Sequence, residues 1–128
     1  MYGVVKNFLE ILLLRGIMDS KKERKDTMQV IITAYDGTDP NALARRMEVR
    51  PRHLENMKKV MEQYKVLCAG GITNDAGTPI GSFLVMEFPD REALDGYLAT
   101  EPYITEKVWQ EVRVEPCNAV IVGNEMGQ

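Results

Sequence analysis

The chain has 128 residues and a mass of 14.5 kDa, a size that suits one folded domain. Apolar residues make up 45% and charged residues 27% of the sequence, which is the balance of a globular protein and not of a disordered chain. The formal net charge is −3, so the sequence lacks the basic excess with which nucleic-acid-binding domains attract phosphates. We therefore expect no nucleic-acid partner.

Membrane insertion, secretion and a disulfide framework are not expected from this sequence. The first apolar run, at residues 11–14, is much shorter than the roughly 20 residues that cross a bilayer, and no cleavage-site pattern follows it. Cys68 and Cys117 form no C-x-x-C or zinc-ligand pattern, so we expect both to be reduced. These features predict a cytoplasmic protein without stable membrane insertion.

Residues 1–27 differ in charge from the rest of the chain. They hold six basic and four acidic side chains, whereas residues 28–128 hold ten and fifteen. Apolar side chains recur there at helical spacing, which predicts an N-terminal extension made of an amphipathic helix and a charged linker. The apolar set consists of Val5, Phe8, Leu9, Leu12 and Leu13. Two interpretations stay open: a helix that docks on a partner or membrane surface, and an extension upstream of the domain, with Met18 or Met28 as a later start.

From residue 28 onward the sequence predicts a regular alternation of elements. Residues 29–35 are β-branched and apolar and predict a strand. A helical region follows in two pieces, because Pro51 suits the first turn of a helix better than its interior. Its second piece carries an apolar stripe that is expected to face the core. That stripe consists of Leu54, Met57, Met61 and Tyr64.

Four further elements complete the pattern. Residues 66–69 and 82–88 predict two strands, residues 93–98 lie in a helix, and residues 112–122 supply the last strand, interrupted at Pro116. The order strand, helix, strand, strand, helix, strand is the ferredoxin-like layout of an α+β domain. It places both helices on one face of an antiparallel sheet.

Both faces of the predicted sheet carry apolar side chains. In the first strand Ile31 lies on one face, and Val30 and Ile32 lie on the other. In the third strand Phe83 and Val85 lie on one face, and Leu84 and Met86 lie on the other. The helices cover only one face, so the other face requires a second cover. We expect that cover to be the same face of a second copy. This predicts a homodimer joined sheet to sheet, with pockets between sheet and helices near the seam.

The single histidine, His53, and the acid of a Glu-Pro-Tyr kink are the candidate catalytic residues. Histidine side chains exchange protons near neutral pH. Pro102 favours an extended backbone at Glu101, which tends to present the carboxylate. A carboxylate beside an imidazole would hold it in one tautomer. The residues alone also allow a rim histidine and a surface acid without catalytic duty.

Other residues are candidates for binding a ligand and not for reacting with it. Ser82 lacks the nucleophile-elbow pattern and is expected to donate a hydrogen bond into a pocket. Four arginines concentrate positive charge around the first helix: Arg45, Arg46, Arg50 and Arg52. One or two of them, with Arg50 and Arg52 preferred, are expected to steer an anionic ligand toward His53. One histidine cannot build a histidine-rich metal site, and the glycines do not match a phosphate-binding fingerprint. We expect neither a metal nor a cofactor.

Taken in order, these pieces resemble the YciI, or YCII-related, family of small dimeric α/β-barrel proteins, from residue 28 to about residue 122. The most specific piece is the run V-R-P-R-H-L at residues 49–54. The others are the strand that ends in Asp36, L-C-A-G-G at 67–71, G-S at 81–82, E-F at 87–88 and E-P-Y at 101–103. The resemblance implies a ferredoxin-like subunit that dimerises through its sheet. It also implies a site built on a histidine, here His53, and an aspartate, where this chain has Glu101.

Most members of the family have no assigned reaction, and a related dehydrochlorinase of a chlorinated hydroxyquinol points to proton abstraction and elimination. We therefore predict a small cofactor-independent enzyme of lyase or isomerase type, in which His53 transfers a proton and Glu101 orients it. The residues expected to contact an anionic or phenolic substrate are Asp36, Arg50, Arg52, Ser82 and Tyr103. The alternatives are a non-catalytic or stress-related module that binds a small molecule, and an interaction protein that acts through its N-terminal helix.

Overall fold

A computed structural model describes residues 4–5 and 27–127 of the chain. In chain order the elements are β1 (Val4–Val5), β2 (Met28–Asp36), α1 (Ala42–Gln63), β3 (Lys65–Thr73), β4 (Pro79–Phe88), α2 (Arg91–Thr100), α3 (Pro102–Thr105), β5 (Trp109–Pro116), β6 (Ile121–Val122) and β7 (Glu125–Met126). Strands β1 to β5 form one antiparallel sheet in the order β1-β5-β2-β4-β3. The predicted ferredoxin-like α+β order is confirmed by the elements from β2 to β5.

The core lies between the three helices and one face of the sheet. Alternate residues of β2 point into it, and Val30, Ile32 and Ala34 have no exposed surface. The paired strand β4 contributes Leu84 opposite Ile32 and Met86 opposite Val30. Because strand side chains alternate between the two faces, this register places one set of apolar side chains from each central strand under the helices.

The other face of the sheet is open and is apolar only in part. Ile31 lies opposite Val85 and Thr33 opposite Phe83, and all four side chains are half-buried. On the β5 side the same face is charged, since Arg113 is the partner of Thr33 in that pairing. The apolar patch that β2 and β4 form on the open face is therefore bordered by charge on the β5 side.

Helix α1 is one continuous helix of 22 residues with Pro51 inside it, so the prediction of two helical pieces is wrong. Proline lacks an N–H, which leaves the carbonyl of Met47 without its helical partner. Met47 is 53% exposed, so water is available there. The predicted core stripe is also wrong in part, because Leu54 and Met61 are exposed. The buried residues of this helix are Arg46, Val49, Met57 and Val60.

The two ends of the chain differ from the sequence-based expectation. Val4 and Val5 form a short strand against Arg113 and Val112, where an amphipathic helix was predicted, and the rest of that helix and the charged linker lie outside the described residues. The last strand ends at Pro116, because a separate hairpin follows it. Gly123 and Asn124 both have positive φ angles there, which is the backbone of a two-residue turn. In the described ranges no helix is long and apolar enough to cross a membrane.

Candidate active site

His53 lies on the side of α1 that faces α3 and β5. Its ring stacks on the ring of Tyr103, with centroids 4.1 Å apart and planes 11° apart. The Trp109 ring meets it edge-on at 6.1 Å. The side chain of His53 is 13% exposed. These two aromatic neighbours fix the plane of the imidazole and leave only a narrow opening to its surroundings.

Glu101 lies behind His53, at the junction of α2 and α3. The chain bends there because Pro102 begins α3 and Glu101 caps it with its own side chain. The carboxylate is fully buried and accepts three hydrogen bonds. Tyr97 O–H donates to Oε1 over 2.7 Å, and Oε2 accepts the main-chain N–H of Tyr103 over 2.9 Å and lies 2.7 Å from His53 Nδ1.

This bonding assigns the tautomer of the imidazole. A carboxylate has no hydrogen to donate, so the hydrogen in the contact between Glu101 and His53 sits on Nδ1. Burial and the charge of Glu101 raise the pKa of Tyr97 well above its ordinary value, so Tyr97 remains a donor to the same carboxylate. In the neutral ring Nε2 is then the basic nitrogen, and it has no hydrogen-bond partner among the residues that the structure describes.

A second buried polar cluster is centred on Arg46. Its Nη1 lies 2.9 Å and 3.1 Å from the two oxygens of Asp36, and its Nη2 donates to Ser82 Oγ over 2.9 Å. Its guanidinium carbon lies 4.9 Å from the centre of the Tyr103 ring. Burial raises the pKa of the Asp36 carboxyl, while the charge of Arg46 acts in the opposite direction. The cluster ties β2, α1 and β4 together beside the histidine.

A cavity of about 250 Å³ opens between α1 and strands β3 and β4. Its polar lining comes from Arg46, Arg50, His53, Ser82 and Tyr103. The exposed side chains of Leu54 and Met61 stand at its opening, and Gly70 and Gly71 form part of the opposite wall. Leu54 and Met61, the two residues of the predicted core stripe that are exposed, therefore border this cavity.

The structure brings most of the predicted site residues together, with different positions for two of them. Arg50, His53, Ser82 and Tyr103 line the cavity, and Glu101 supports His53 from behind. Asp36 does not belong to the lining and instead pairs with Arg46. Arg52 also lies outside the lining, where its exposed side chain is 3.6 Å from Glu106. We leave Arg52 out of the candidate site for this reason.

Sequence reasoning missed Arg46, Tyr97 and Trp109 as parts of the site. Arg46 was one of four arginines in a short stretch, but its spacing of four and seven residues from Arg50 and His53 places all three on one face of a helix. That spacing could have selected it. Nothing in the local sequence distinguishes Tyr97 or Trp109 from core aromatic residues. Within the described ranges, no group of three or more His, Cys, Asp or Glu side chains is placed to hold a metal ion.

Fold and site together define a class of small ferredoxin-like α+β proteins with a histidine–carboxylate pair beside a cavity between helix and sheet. The chain belongs to the YCII-related domain family, whose model matches residues 28–118. It is 31% identical to Protein YciI of Escherichia coli over 99 residues, which cover 73% of this chain and 99% of that one. An uncharacterised protein of Haemophilus influenzae is 30% identical over 100 residues, with the same shares of both chains.

Two solved structures share the fold. One is the 5-chloro-2-hydroxyhydroquinone dehydrochlorinase TftG of Burkholderia phenoliruptrix in complex with 2,5-dihydroxybenzoquinone, with a TM-score of 0.61 and 21% identity over 71% of this chain and 94% of that one. The other is described as a putative antibiotic biosynthesis monooxygenase of Bacteroides thetaiotaomicron, with a TM-score of 0.50 and 18% identity over 80% of this chain and 97% of that one. These likenesses show the fold.

Proposed function

We propose that this protein is a small enzyme that transfers protons without a cofactor, acting on an anionic or phenolic molecule in the cavity. The observation that carries the proposal is the 2.7 Å contact between His53 Nδ1 and Glu101 Oε2. It leaves Nε2 as a base on a residue that lines the cavity. A positioned base of this kind typically contributes about 10²–10⁴-fold to a rate.

In this proposal Glu101 is a positioning residue. Its carboxylate holds the imidazole in the tautomer with hydrogen on Nδ1 and stabilises the imidazolium that forms when Nε2 accepts a proton. Tyr97 and the main-chain N–H of Tyr103 hold the carboxylate itself. Where the resemblance to the family implies an aspartate, this chain reaches the histidine with the longer glutamate arm.

The dehydrochlorinase with the same fold suggests an elimination for the first test. In such a step the ring reacts as its keto tautomer, in which the carbon that carries chlorine is tetrahedral. A hydroxyl proton passes to His53 Nε2, the electron pair of the broken O–H bond forms a C=O bond, the adjacent C=C bond shifts along the ring, and chloride leaves with the C–Cl electron pair. No oxidant or metal is needed to balance this reaction. Arg50 lines the cavity and is exposed, so we assign it the attraction of an anionic substrate.

We further propose that two copies associate through the open face of the sheet. The half-buried patch around Ile31 and Val85 is apolar and flat, and the helices lie on the other side. A sheet with one bare apolar face gains stability when a second sheet packs on it. The Thr33–Phe83 pair would lie within the same contact.

A binding module without catalysis is the second candidate, and the bonding of Glu101 favours it in one respect. The carboxylate joins α2 to α3 through Tyr97 and Tyr103, which would stabilise the fold whatever His53 does. In that case the imidazole is a wall of the cavity and not a base. The two candidates therefore differ in whether the protein shows a turnover that depends on His53.

The test combines the nitrogen resonances of the imidazole with turnover. His53 is the only histidine of the chain, so ¹⁵N spectra of the full chain report its tautomer without assignment. At a pH where the ring is neutral, we expect its hydrogen on Nδ1 in the native protein and a mixture of tautomers in Glu101→Gln. We expect release of chloride from 5-chloro-2-hydroxyhydroquinone by the native protein and a loss of about 10²–10⁴-fold in His53→Gln.

Arg52→Ala is the control, because Arg52 is exposed and lies outside the cavity lining; it should retain the native rate. A neutral native ring whose hydrogen lies on Nε2 would refute the base. Absence of turnover in the native protein would favour the binding module, and turnover that survives in His53→Gln would show that His53 is not the base.

A further inference from the structure

The hydroxyl of Ser82 has an unusual hydrogen-bond environment. Its oxygen accepts the Nη2–H of Arg46 over 2.9 Å and the indole N–H of Trp109 over 3.1 Å. A hydroxyl oxygen has two lone pairs for accepting, and both are occupied here. The oxygen therefore has no remaining capacity to accept, and its own hydrogen must be donated.

The structure also limits where that hydrogen points. Among the described residues the Ser82 O–H has no acceptor, although the side chain is only 5% exposed. Ser82 lines the cavity together with His53, so the cavity is where an acceptor can reach the hydroxyl. Bonds from a cation and from an indole N–H polarise the hydroxyl, which strengthens donation to a further acceptor. The buried donor is thus directed at whatever occupies the cavity.

We propose that Ser82 is a dedicated hydrogen-bond donor to an oxygen of the cavity's ligand, and that the ligand is a small single-ring molecule with a phenolate, enolate or carbonyl oxygen at that end. This inference rests on the proposed small-molecule role of the cavity. A group without an available lone pair, such as an ammonium or an aniline nitrogen conjugated with a nitro group, would face the Ser82 hydrogen with one of its own and is excluded. The volume of about 250 Å³ lies below the range of drug-sized pockets and suits one ring.

Because Ser82 lies near His53, its hydroxyl could stabilise the negative charge that forms when His53 removes a proton. Both residues line the same cavity, and the Tyr103 ring touches both His53 and the Arg46 guanidinium that bonds Ser82. When Nε2 removes a proton from a carbon or hydroxyl, negative charge develops on the conjugated oxygen. A preorganised donor at that oxygen stabilises the charge without any rearrangement.

The test uses two molecules of nearly equal shape, p-nitrophenolate and p-nitroaniline, with titration calorimetry on the full chain. Both carry the same nitro group, so they differ only at the opposite end of the ring, where the first has an oxyanion and the second has an amine. We expect the native protein to prefer p-nitrophenolate. Ser82→Ala should lower the ratio of the two affinities about ten- to a hundredfold, the strength of a charge-assisted hydrogen bond. The ratio within one variant is insensitive to the fraction of folded protein.

Two further variants separate donation from a general structural effect. Ser82→Thr retains the hydroxyl and should keep the native ratio. Trp109→Phe frees one lone pair of Ser82, so the oxygen can then accept from an amine, and affinity for p-nitroaniline should rise while affinity for p-nitrophenolate is kept. A purely structural role for Ser82 would not produce this selective gain.

An equal ratio in native protein and Ser82→Ala, or a native protein that does not prefer p-nitrophenolate, would overturn the inference. The imidazole spectra separate this failure from that of the proposed enzyme. If Nδ1 carries the hydrogen and the ratio is unchanged in Ser82→Ala, the donor role is lost and the base remains. If the ratio falls and Nε2 carries the hydrogen, the binding site remains and the base is lost.

Discussion

Tyr97 donates its hydroxyl hydrogen to Glu101 Oε1 over 2.7 Å, on the carboxylate oxygen opposite to the one that contacts His53. Both partners of this bond are buried, Tyr97 to 3% and Glu101 to 0% exposure. The three side chains form a chain from α2 through the α2–α3 junction to α1. The orientation of the imidazole thus depends on a tyrosine that does not line the cavity.

Tyr97→Phe removes the hydroxyl of this chain and keeps the ring. It leaves one oxygen of a buried carboxylate without its donor, which we expect to reduce the free energy of unfolding by about 1.5–3 kcal/mol. Urea unfolding followed by circular dichroism measures the change. Tyr35→Phe, on the open face of the sheet and 42% exposed, is the matched control and should alter stability by less than about 0.5 kcal/mol. Equal effects in both variants would contradict the role of the bond.

The same tyrosine predicts a dependence of stability on alkaline pH. Burial, followed by the charge of Glu101, raises the pKa of Tyr97 well above 10.0. The unfolded chain then loses this proton near its ordinary pKa while the folded protein retains it. Because the unfolded state binds fewer protons there, the free energy of unfolding falls as pH rises above about 10. The contribution is complete below that pH.

Unfolding measured at several pH values above 9 should show this fall in the native protein. In Tyr97→Phe the slope should be shallower by up to about 1.4 kcal/mol per pH unit. Tyr103, whose pKa is also raised by burial, still contributes in that variant, so a residual slope is expected. A native slope that the substitution leaves intact would show that Tyr97 is not the source.

Substitution of Arg46 should cause a large loss of stability, part of which is recovered when Asp36 is substituted as well. Arg46→Leu leaves the buried Asp36 carboxylate without its cation, and we expect a loss of about 3–5 kcal/mol. Asp36→Leu combined with Arg46→Leu removes both charges, so the double variant should be more stable than the single one. Chemical denaturation of the three proteins forms the comparison. A double variant less stable than Arg46→Leu would argue against the unpaired charge as the cause.

Features that depend on neighbouring residues could be predicted from the sequence, whereas contacts between residues far apart along the chain could not. The strands could be predicted because alternation is local, and Ile32 and Leu84 fall on the core face as the period of two requires. The contact between His53 and Glu101 spans 48 positions, and only the resemblance to a family brought the two together. The hydrogen bonds of Ser82 were beyond reach for the same reason, since Arg46 and Trp109 come from elements before and after it.

The errors have physical causes of the same kind. Pro51 usually begins a helix, but α1 continues through it because packing of the helix on the sheet outweighs one lost hydrogen bond. Leu54 and Met61 satisfied the helical period of a core stripe. The buried face instead carries Arg46, whose partners lie on other elements, and it is bordered by His53, whose Nδ1 contacts Glu101. Burial of polar residues is invisible to a rule that looks for apolar periodicity.

Two glycines provide a paired test of the packing of the sheet. A Cβ at Gly81 would collide with the main-chain oxygen of Ala34 on the neighbouring strand, whereas a Cβ at Gly96 on α2 would meet nothing within 4 Å. Gly81→Ala must therefore displace β4 from β2, and we expect a loss above about 1 kcal/mol. Gly96→Ala should gain about 0.4–1 kcal/mol, because alanine favours the helix and restricts the unfolded chain. Thermal unfolding of both variants measures these changes. A change in stability of the same sign in both variants would contradict the contact at Ala34.

If two copies associate through the open face of the sheet, one acidic substitution on that face should dissociate the dimer. Ile31 lies within the patch proposed to join two copies, so Ile31→Glu would bury two carboxylates close together at a symmetric contact. We expect this variant to be a monomer at micromolar concentration by light scattering, with the native protein a dimer. Leu43→Glu is the matched control, because Leu43 is an exposed apolar residue of α1 at 43% exposure and lies on the opposite layer. Since both variants exchange an apolar side chain for the same acid, dissociation in Ile31→Glu alone would assign the contact to the sheet, and dissociation in Leu43→Glu alone would move it to the helices.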